Sequence, residues 1–282
     1  MSDSEDKYPT ESGRRRFVKG VVGSASLAAV GTATAASVGF ATSASGAGGG
    51  VTQFVGIENT DGPAPRGMPM IPMEVNSDGT LSGIFPDTIE DGVAVTDIGG
   101  TRYSSSWFQY CGVQTYPGVN PASEQDNTFR VASGADGSYS WMGDLNAGDP
   151  LEVSNFDDYE SWGNGIGKAG LGKPALGAWR SVDVSPQETM VVQVLRSPRI
   201  QELRADPPDG VDADFFRAAT TEEGFMAWLN KCTHFCCVPG FKSLAGSANF
   251  GGEDKVYCQC HQSIYDPFSP VQKSFVALPR PE

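Results

Sequence analysis

The sequence predicts a mainly β fold preceded by one N-terminal membrane helix, and three observations carry that expectation. Residues 51–185 are rich in glycine, proline and aromatics, and alternate apolar with polar residues only over short stretches such as 93–97 and 138–142. No apolar stripe of 3.6-residue period runs far enough for a long helix, so short strands joined by long loops are expected. Trp107, Phe108, Tyr110, Trp141 and Trp162 are the residues that would pack them. Ahead of this region, from Gly20 to Ile57, the chain carries no charged residue.

Taken in order, residues 1–19 form a polar tail ending in Arg14-Arg15-Arg16-Phe17-Val18-Lys19. The cluster is similar to a twin-arginine export signal whose usual preceding hydroxyl residue is displaced to Ser12. An uncharged run behind basic residues partitions into lipid, and residues 20–42 are long enough to span a bilayer at about 20 residues. Cleavage after an Ala-x-Ala such as Ala33-Thr34-Ala35 is the alternative. A retained anchor is single-pass, leaving the basic tail in the cytoplasm and the remainder on the outer face of the cell membrane. Residues 43–50 read SASGAGGG, a composition expected to make a flexible hinge. Residues 51–185 then form an extra β and loop region without an assigned role.

A second β domain is expected over 186–282. Residues 190–195 and 225–229 read as strands, with a turn at 206–210. Gly165-Ile166-Gly167-Lys168-Ala169-Gly170 fits G-x-G-x-x-G. The acidic, polar residues 157–162 before it are no buried strand, so a glycine-rich loop is the better reading than a dinucleotide site. The net charge of -14, from 34 Asp and Glu against 20 Lys and Arg, argues against nucleic acid as a partner. A carboxylate-rich surface also suits a halophilic protein.

The chemistry concentrates near the C-terminus. Five of the six cysteines and both histidines fall between Cys232 and His261. The first box is Cys232-Thr233-His234-Phe235-Cys236-Cys237; the second is Cys258-Gln259-Cys260-His261-Gln262-Ser263-Ile264-Tyr265-Asp266. Cys-x-His followed by Cys-x-x-His offers two thiolates and two imidazoles to one metal centre. Soft thiolates suit a buried iron, and neutral imidazoles suit an outer iron because they reduce the negative charge of the site. A structural Cys2His2 zinc site is the plainer alternative. Against it stand the spacing, the additional Cys237 and Cys260, and the hydroxyls of Ser263 and Tyr265. A c-type haem would need C-x-x-C-H where this chain has C-x-C-H.

These boxes resemble those of the Rieske iron–sulfur protein of cytochrome bc-type quinol-oxidising complexes, which read C-T-H-x-G-C and C-P-C-H-G-S-x-Y-D. The resemblance covers roughly the last third of the chain. It implies an antiparallel β head with two cluster-binding loops and one [2Fe-2S] cluster, with Cys232 and Cys258 on one iron and His234 and His261 on the other. It implies a Cys237–Cys260 disulfide between the loops; Cys236 replaces a family glycine, and spacing favours Cys237 over Cys236 as the partner of Cys260. Ser263 and Tyr265 are implied as donors of hydrogen bonds to cluster and cysteine sulfur, and His261 as the imidazole that meets quinol and takes its proton. Val276-Ala277-Leu278-Pro279 stands where the family has a proline-rich loop over the cluster. The family's closing strand is then missing or supplied from residues 51–185. Cys111 and Cys236 are left over, either bridged to each other or as two buried thiols.

The implied activity is that of an oxidoreductase subunit, incomplete alone, that passes single electrons from quinol to a cytochrome c or blue-copper acceptor. A cytochrome b-type membrane subunit is its expected partner. The alternative is a Rieske subunit serving a molybdenum oxidoreductase or nitrate-respiring complex.

Overall fold

Two long strands, one at each end of the described chain, lie side by side and organise the rest. The computed structural model describes residues 48–281. β1 (Gly50–Asp61) runs antiparallel to the last strand, with Gly50 opposite Ala277 and Asn59 opposite Tyr265. Between them come β2 (Met68–Ile71), β3 (Met73–Val75), β4 (Leu81–Gly83), β5 (Thr88–Glu90), β6 (Val93–Ile98), β7 (Thr101–Ser104), β8 (Arg130–Val131), β9 (Lys173–Trp179) and β10 (Met190–Arg196). Two short helices follow, α1 (Pro198–Ala205) and α2 (Ala213–Ala219). The chain ends in β11 (Phe225–Leu229), β12 (Gly240–Phe241), β13 (Val256–Cys258) and β14 (Ser263–Ala277).

One nine-stranded antiparallel sheet runs in the order β12-β13-β14-β1-β2-β11-β10-β9-β8. Its curl has a local cause. Ile57 faces Pro270 while the next residue, Glu58, faces Asp266, so three residues of β14 bulge out. The pairs β3–β4 and β5–β6–β7 make smaller sheets beside it. Aromatics fill the interior: Trp179 is fully buried among Phe85, Phe108 and Phe129, and Trp107 packs edge-on to Tyr103 with ring centroids 5.0 Å apart.

The mainly β expectation holds, and the strands at 190–195 and 225–229 are present. Other expectations need correction. Residues 138–142 form no strand; a 3-10 helix, Ser140–Asp144, occupies this stretch. Two aromatics in alternation over five residues are too brief a signal, and Tyr139 turns inward to bond Gln193 and the Phe241 carbonyl. The boundary at 185/186 does not separate two bodies: the described residues belong to one compact unit, and β1 and β2 occupy the middle of the sheet, between β14 and β11. Residues 51–185 therefore supply the strands that close the cysteine-rich part.

The last residues of the expected hinge belong to the folded part. Gly50 opens β1, and Gly48 lies so close to Gln109 and Val93 that a side chain there would clash. The tail, the anchor at 20–42 and residues 43–47 lie outside the described residues. Among the described residues, no helix is long and apolar enough to cross a membrane. Gly165 to Gly170 lie in irregular chain between the 3-10 helix Val153–Phe156 and β9, so no helix follows them to hold a phosphate.

Candidate metal centre

β11 is buried along its whole length and delivers the chain into box one. The loop folds back on itself: Asn230 Nδ2 donates to the Pro239 carbonyl at 2.7 Å, and the Cys232 N–H donates to the Cys237 carbonyl at 2.8 Å. Box two is the tip of the β13–β14 hairpin. Cys258 faces Ser263 across it, and the Gln262 N–H returns to the Cys258 carbonyl at 2.9 Å. Cys236 and Gln262 both have positive φ, +65° and +63°. Both stand where the resembling family has glycine, so the turn geometry explains the glycine and the departures leave the backbone strained.

Two disulfides clamp the loops. Cys237 bonds Cys260, joining box one to box two with Cα atoms 6.7 Å apart. Cys111 bonds Cys236 with Cα atoms 5.5 Å apart, which decides the pairing left open by the sequence and ties the middle region to box one. Cys232 and Cys258 are the remaining thiols and both are buried. The sulfurs of Cys237, Cys258 and Cys260 lie within 4.8 Å of one another, but two of them form a disulfide and are not free to bind metal as thiolates.

The free thiols adjoin each other. A hydrogen bond from Cys258 holds Cys232 well below the usual thiol range, at about 5, against burial, and Tyr265 and the backbone N–H groups of His234 and Phe235 add to it. The same contact, with burial, pushes Cys258 up. The imidazoles of His234 and His261 meet with ring centroids 4.8 Å apart and planes at 81°. His234 Nδ1 is buried and has no hydrogen-bond partner, while His261 is exposed. Phe235, 64% exposed, lies against both rings at 4.4 and 4.8 Å.

Hydroxyls complete the site. Tyr265 is buried, receives the Thr233 N–H at 3.1 Å and donates to Cys232 Sγ at 3.1 Å. Burial foremost, with the Cys232 sulfur, pushes its pKa up, so it stays a donor. Ser263 Oγ accepts the Ala64 N–H at 3.2 Å, which leaves its proton free to donate. The structure thus brings together all six residues singled out from the sequence: Cys232, His234, Cys258, His261, Ser263 and Tyr265. Two thiols, two imidazoles, an orphaned buried nitrogen and a hydroxyl aimed at sulfur form a donor set that fits a mixed Cys/His iron–sulfur group.

The proline-rich segment bonded to these loops is not the one expected. Val276 and Ala277 finish β14, and the Leu278 N–H donates to the Gln109 carbonyl at 2.9 Å. Residues 62–67, Gly-Pro-Ala-Pro-Arg-Gly, connect β1 to β2 and reach both boxes instead. Ala64 bonds Ser263, and the Arg66 carbonyl accepts Thr233 Oγ1 at 2.6 Å. A Cβ on Gly62 would lie 2.6 Å from the Gln262 carbonyl oxygen, so only glycine allows this approach. The sequence reading missed Thr233, Ala64 and Arg66, although two prolines in the segment were a visible signal. Comparisons of the chain with family models, curated proteins and solved structures give no match.

Proposed function

We propose that this chain is the one-electron carrier subunit of a membrane quinol-oxidising complex of the cytochrome bc type, built around one Rieske [2Fe-2S] cluster. Cys232 and Cys258 would hold one iron, His234 and His261 the other. The observation that carries the reading is the pairing of two buried free thiols with two adjacent imidazoles, one of them with an unpartnered buried nitrogen. When bound, the cluster would supply one-electron transfer.

The chain's own residues do the rest. The two disulfides hold the loops at fixed separation, so the ligand set is organised before metal arrives. Tyr265 donates toward sulfur, which favours the more negative, reduced state. The exposed His261 ring is the group open to a quinol hydroxyl, accepting its hydrogen bond and then its proton. The head would lie on the outer face of the cell membrane beside a cytochrome b-type subunit, with a cytochrome c or blue-copper protein as acceptor.

A second reading, a fixed electron wire in a molybdenum oxidoreductase or nitrate-respiring complex, gains weight from one observation. Gly48 and Gly50 are packed into the head, which leaves less chain for a swinging tether. The test is purification from membranes followed by metal, sulfide and electron paramagnetic resonance analysis, with identification of co-purifying subunits. Two irons, two acid-labile sulfides and a low average g are expected, together with a cytochrome b. One zinc and no sulfide would overturn the cluster; a molybdopterin partner would select the second reading.

A further inference from the structure

Beside box one sits a cation that has no carboxylate partner among the described residues. Arg66 is partly buried, and its guanidinium carbon lies 3.7 Å from the ring centroid of Phe275, 4.3 Å from Tyr110 and 4.9 Å from Phe54. Phe54 belongs to β1 and Phe275 to β14, so the cage is made where the first and last strands pair. Nη1 donates to the Gly67 carbonyl at 3.3 Å; Nη2 is buried without a partner. Its electrostatic neighbours are Tyr110 and Tyr265, not a carboxylate.

Lys231, half-buried beside Cys232, bonds the Tyr116 hydroxyl at 2.6 Å, and the more deeply buried cations are satisfied differently again. Lys242 meets Asp254 and the Lys168 carbonyl, and Lys173 meets Asp158. Arg180 is spread over carbonyls of three residues and the side chain of Asn127. Aromatic faces attract a cation but leave its charge uncancelled. Arg66 therefore keeps a net positive charge in a poorly solvated place, where it is screened little by water or salt.

Two contacts place Arg66 beside the candidate site, one through its backbone and one through the ring under its guanidinium. The Arg66 carbonyl accepts Thr233 Oγ1, and Thr233 lies between the two box-one ligands while its N–H supports Tyr265. The Tyr110 ring under the guanidinium donates through its hydroxyl to the Lys231 carbonyl at 2.9 Å, one residue before Cys232. We propose that Arg66 is a tuning residue: its uncompensated charge, fixed in the aromatic cage, favours the state of the centre that holds the extra electron and so raises the reduction potential. The assignment rests on the [2Fe-2S] reading above. It acts on the total charge of the site, separately from the hydrogen bond that Tyr265 gives to one sulfur.

The test uses the full chain in detergent, loaded with its cluster, as Arg66→Met, Arg66→Gln and Arg66→Lys. Midpoint potential is read by voltammetry and cluster integrity by electron paramagnetic resonance. The two neutral variants should shift the potential downward with an unchanged spectrum, and lysine should restore it toward wild type. If the methionine variant fails to assemble, the glutamine and lysine pair gives the same reading. Unshifted potentials in every variant overturn the proposal. So does lysine falling as far as methionine, or loss of the cluster in both neutral variants alone, since each assigns the guanidinium a packing role. A wild-type chain without any iron–sulfur signal is a different failure, that of the site reading itself, and the wild-type spectrum tells the two apart.

Discussion

The two cysteine-rich loops are built in opposite ways. Box one is a wall. Cys232 and Thr233 are buried, and the loop is fastened by Cys111, Tyr110, Arg66 and the Asn230 to Pro239 bond. Box two is a tip. Residues 259–262 are exposed, and they are held by the hairpin, by Cys237 and by the close approach of Gly62. The contrast teaches a division of labour. The wall receives its order from distant parts of the chain, and the tip presents His261 to whatever docks.

The largest test removes the proposed metal ligands or the proposed cluster. His234→Ala and His261→Ala should each abolish the mixed Cys/His signal completely, because the proposed outer iron would need both imidazoles. Removal of the proposed cluster under oxidising conditions, which leaves both disulfides intact, should then distinguish the two loops by their local mobility. Amides of 259–262 should exchange faster while those of 230–238 stay protected, since the wall keeps its fastenings. Equal loss of protection in both loops, measured by hydrogen exchange, would break the comparison.

Next in size are the disulfides. Cys111–Cys236 closes a separation of 125 residues and Cys237–Cys260 one of 23. On chain entropy, removing the first costs up to about 5 kcal/mol and removing the second about 3 kcal/mol. Paired serine variants compared by urea unfolding should rank in that order. The reverse ranking would mean that the link between the boxes, not the link to the middle region, dominates stability.

Smaller again are the hydroxyls. Tyr265→Phe removes the donor to Cys232 Sγ and leaves the buried Thr233 N–H without its acceptor. A charge-assisted bond of about 1.5 kcal/mol corresponds to a downward shift of about 60 mV for one electron. Ser263→Ala, at the tip, should lower the potential too while the cluster still assembles. Unchanged potentials in both would show that neither hydroxyl acts on the centre.

The six site residues were legible because metal-ligand spacing is a local property: C-x-H and C-x-x-H can be seen within a few residues. The strands at 190–195 and 225–229 were legible for a similar reason, each being one continuous apolar run between turn residues. What stayed hidden is long-range. That Thr52 would face Phe275, that β1 would sit beside β14, or that Cys111 would reach Cys236 depends on pairing over more than a hundred residues. The family resemblance points to 276–279 for the proline-rich segment, and a resemblance confined to the last third of the chain says nothing of residues 62–67. The sheet places residues 62–67 there because β1 returns alongside β14.

The smallest effect is the sharpest probe of the tip. Gln262 adopts φ of +63°, a left-handed conformation in which a Cβ crowds the following carbonyl oxygen, at a cost of roughly 1 to 2 kcal/mol relative to glycine. Part of that gain is offset, because glycine also loosens the unfolded chain. Gln262→Gly should therefore stabilise the head by about 1 kcal/mol, read as a raised urea midpoint at unchanged slope. Gln259 belongs to the same exposed tip but has no positive φ. Gln259→Gly should accordingly lose about 0.5 to 1 kcal/mol. Opposite signs at two neighbouring glutamines would mean that backbone geometry limits box two, whereas equal signs would mean that the tip relaxes freely and its positive φ carries no strain. Cys236 shares the left-handed backbone, but its bond to Cys111 holds it there, so the contrast between wall and tip reaches even the way each loop bears its strain.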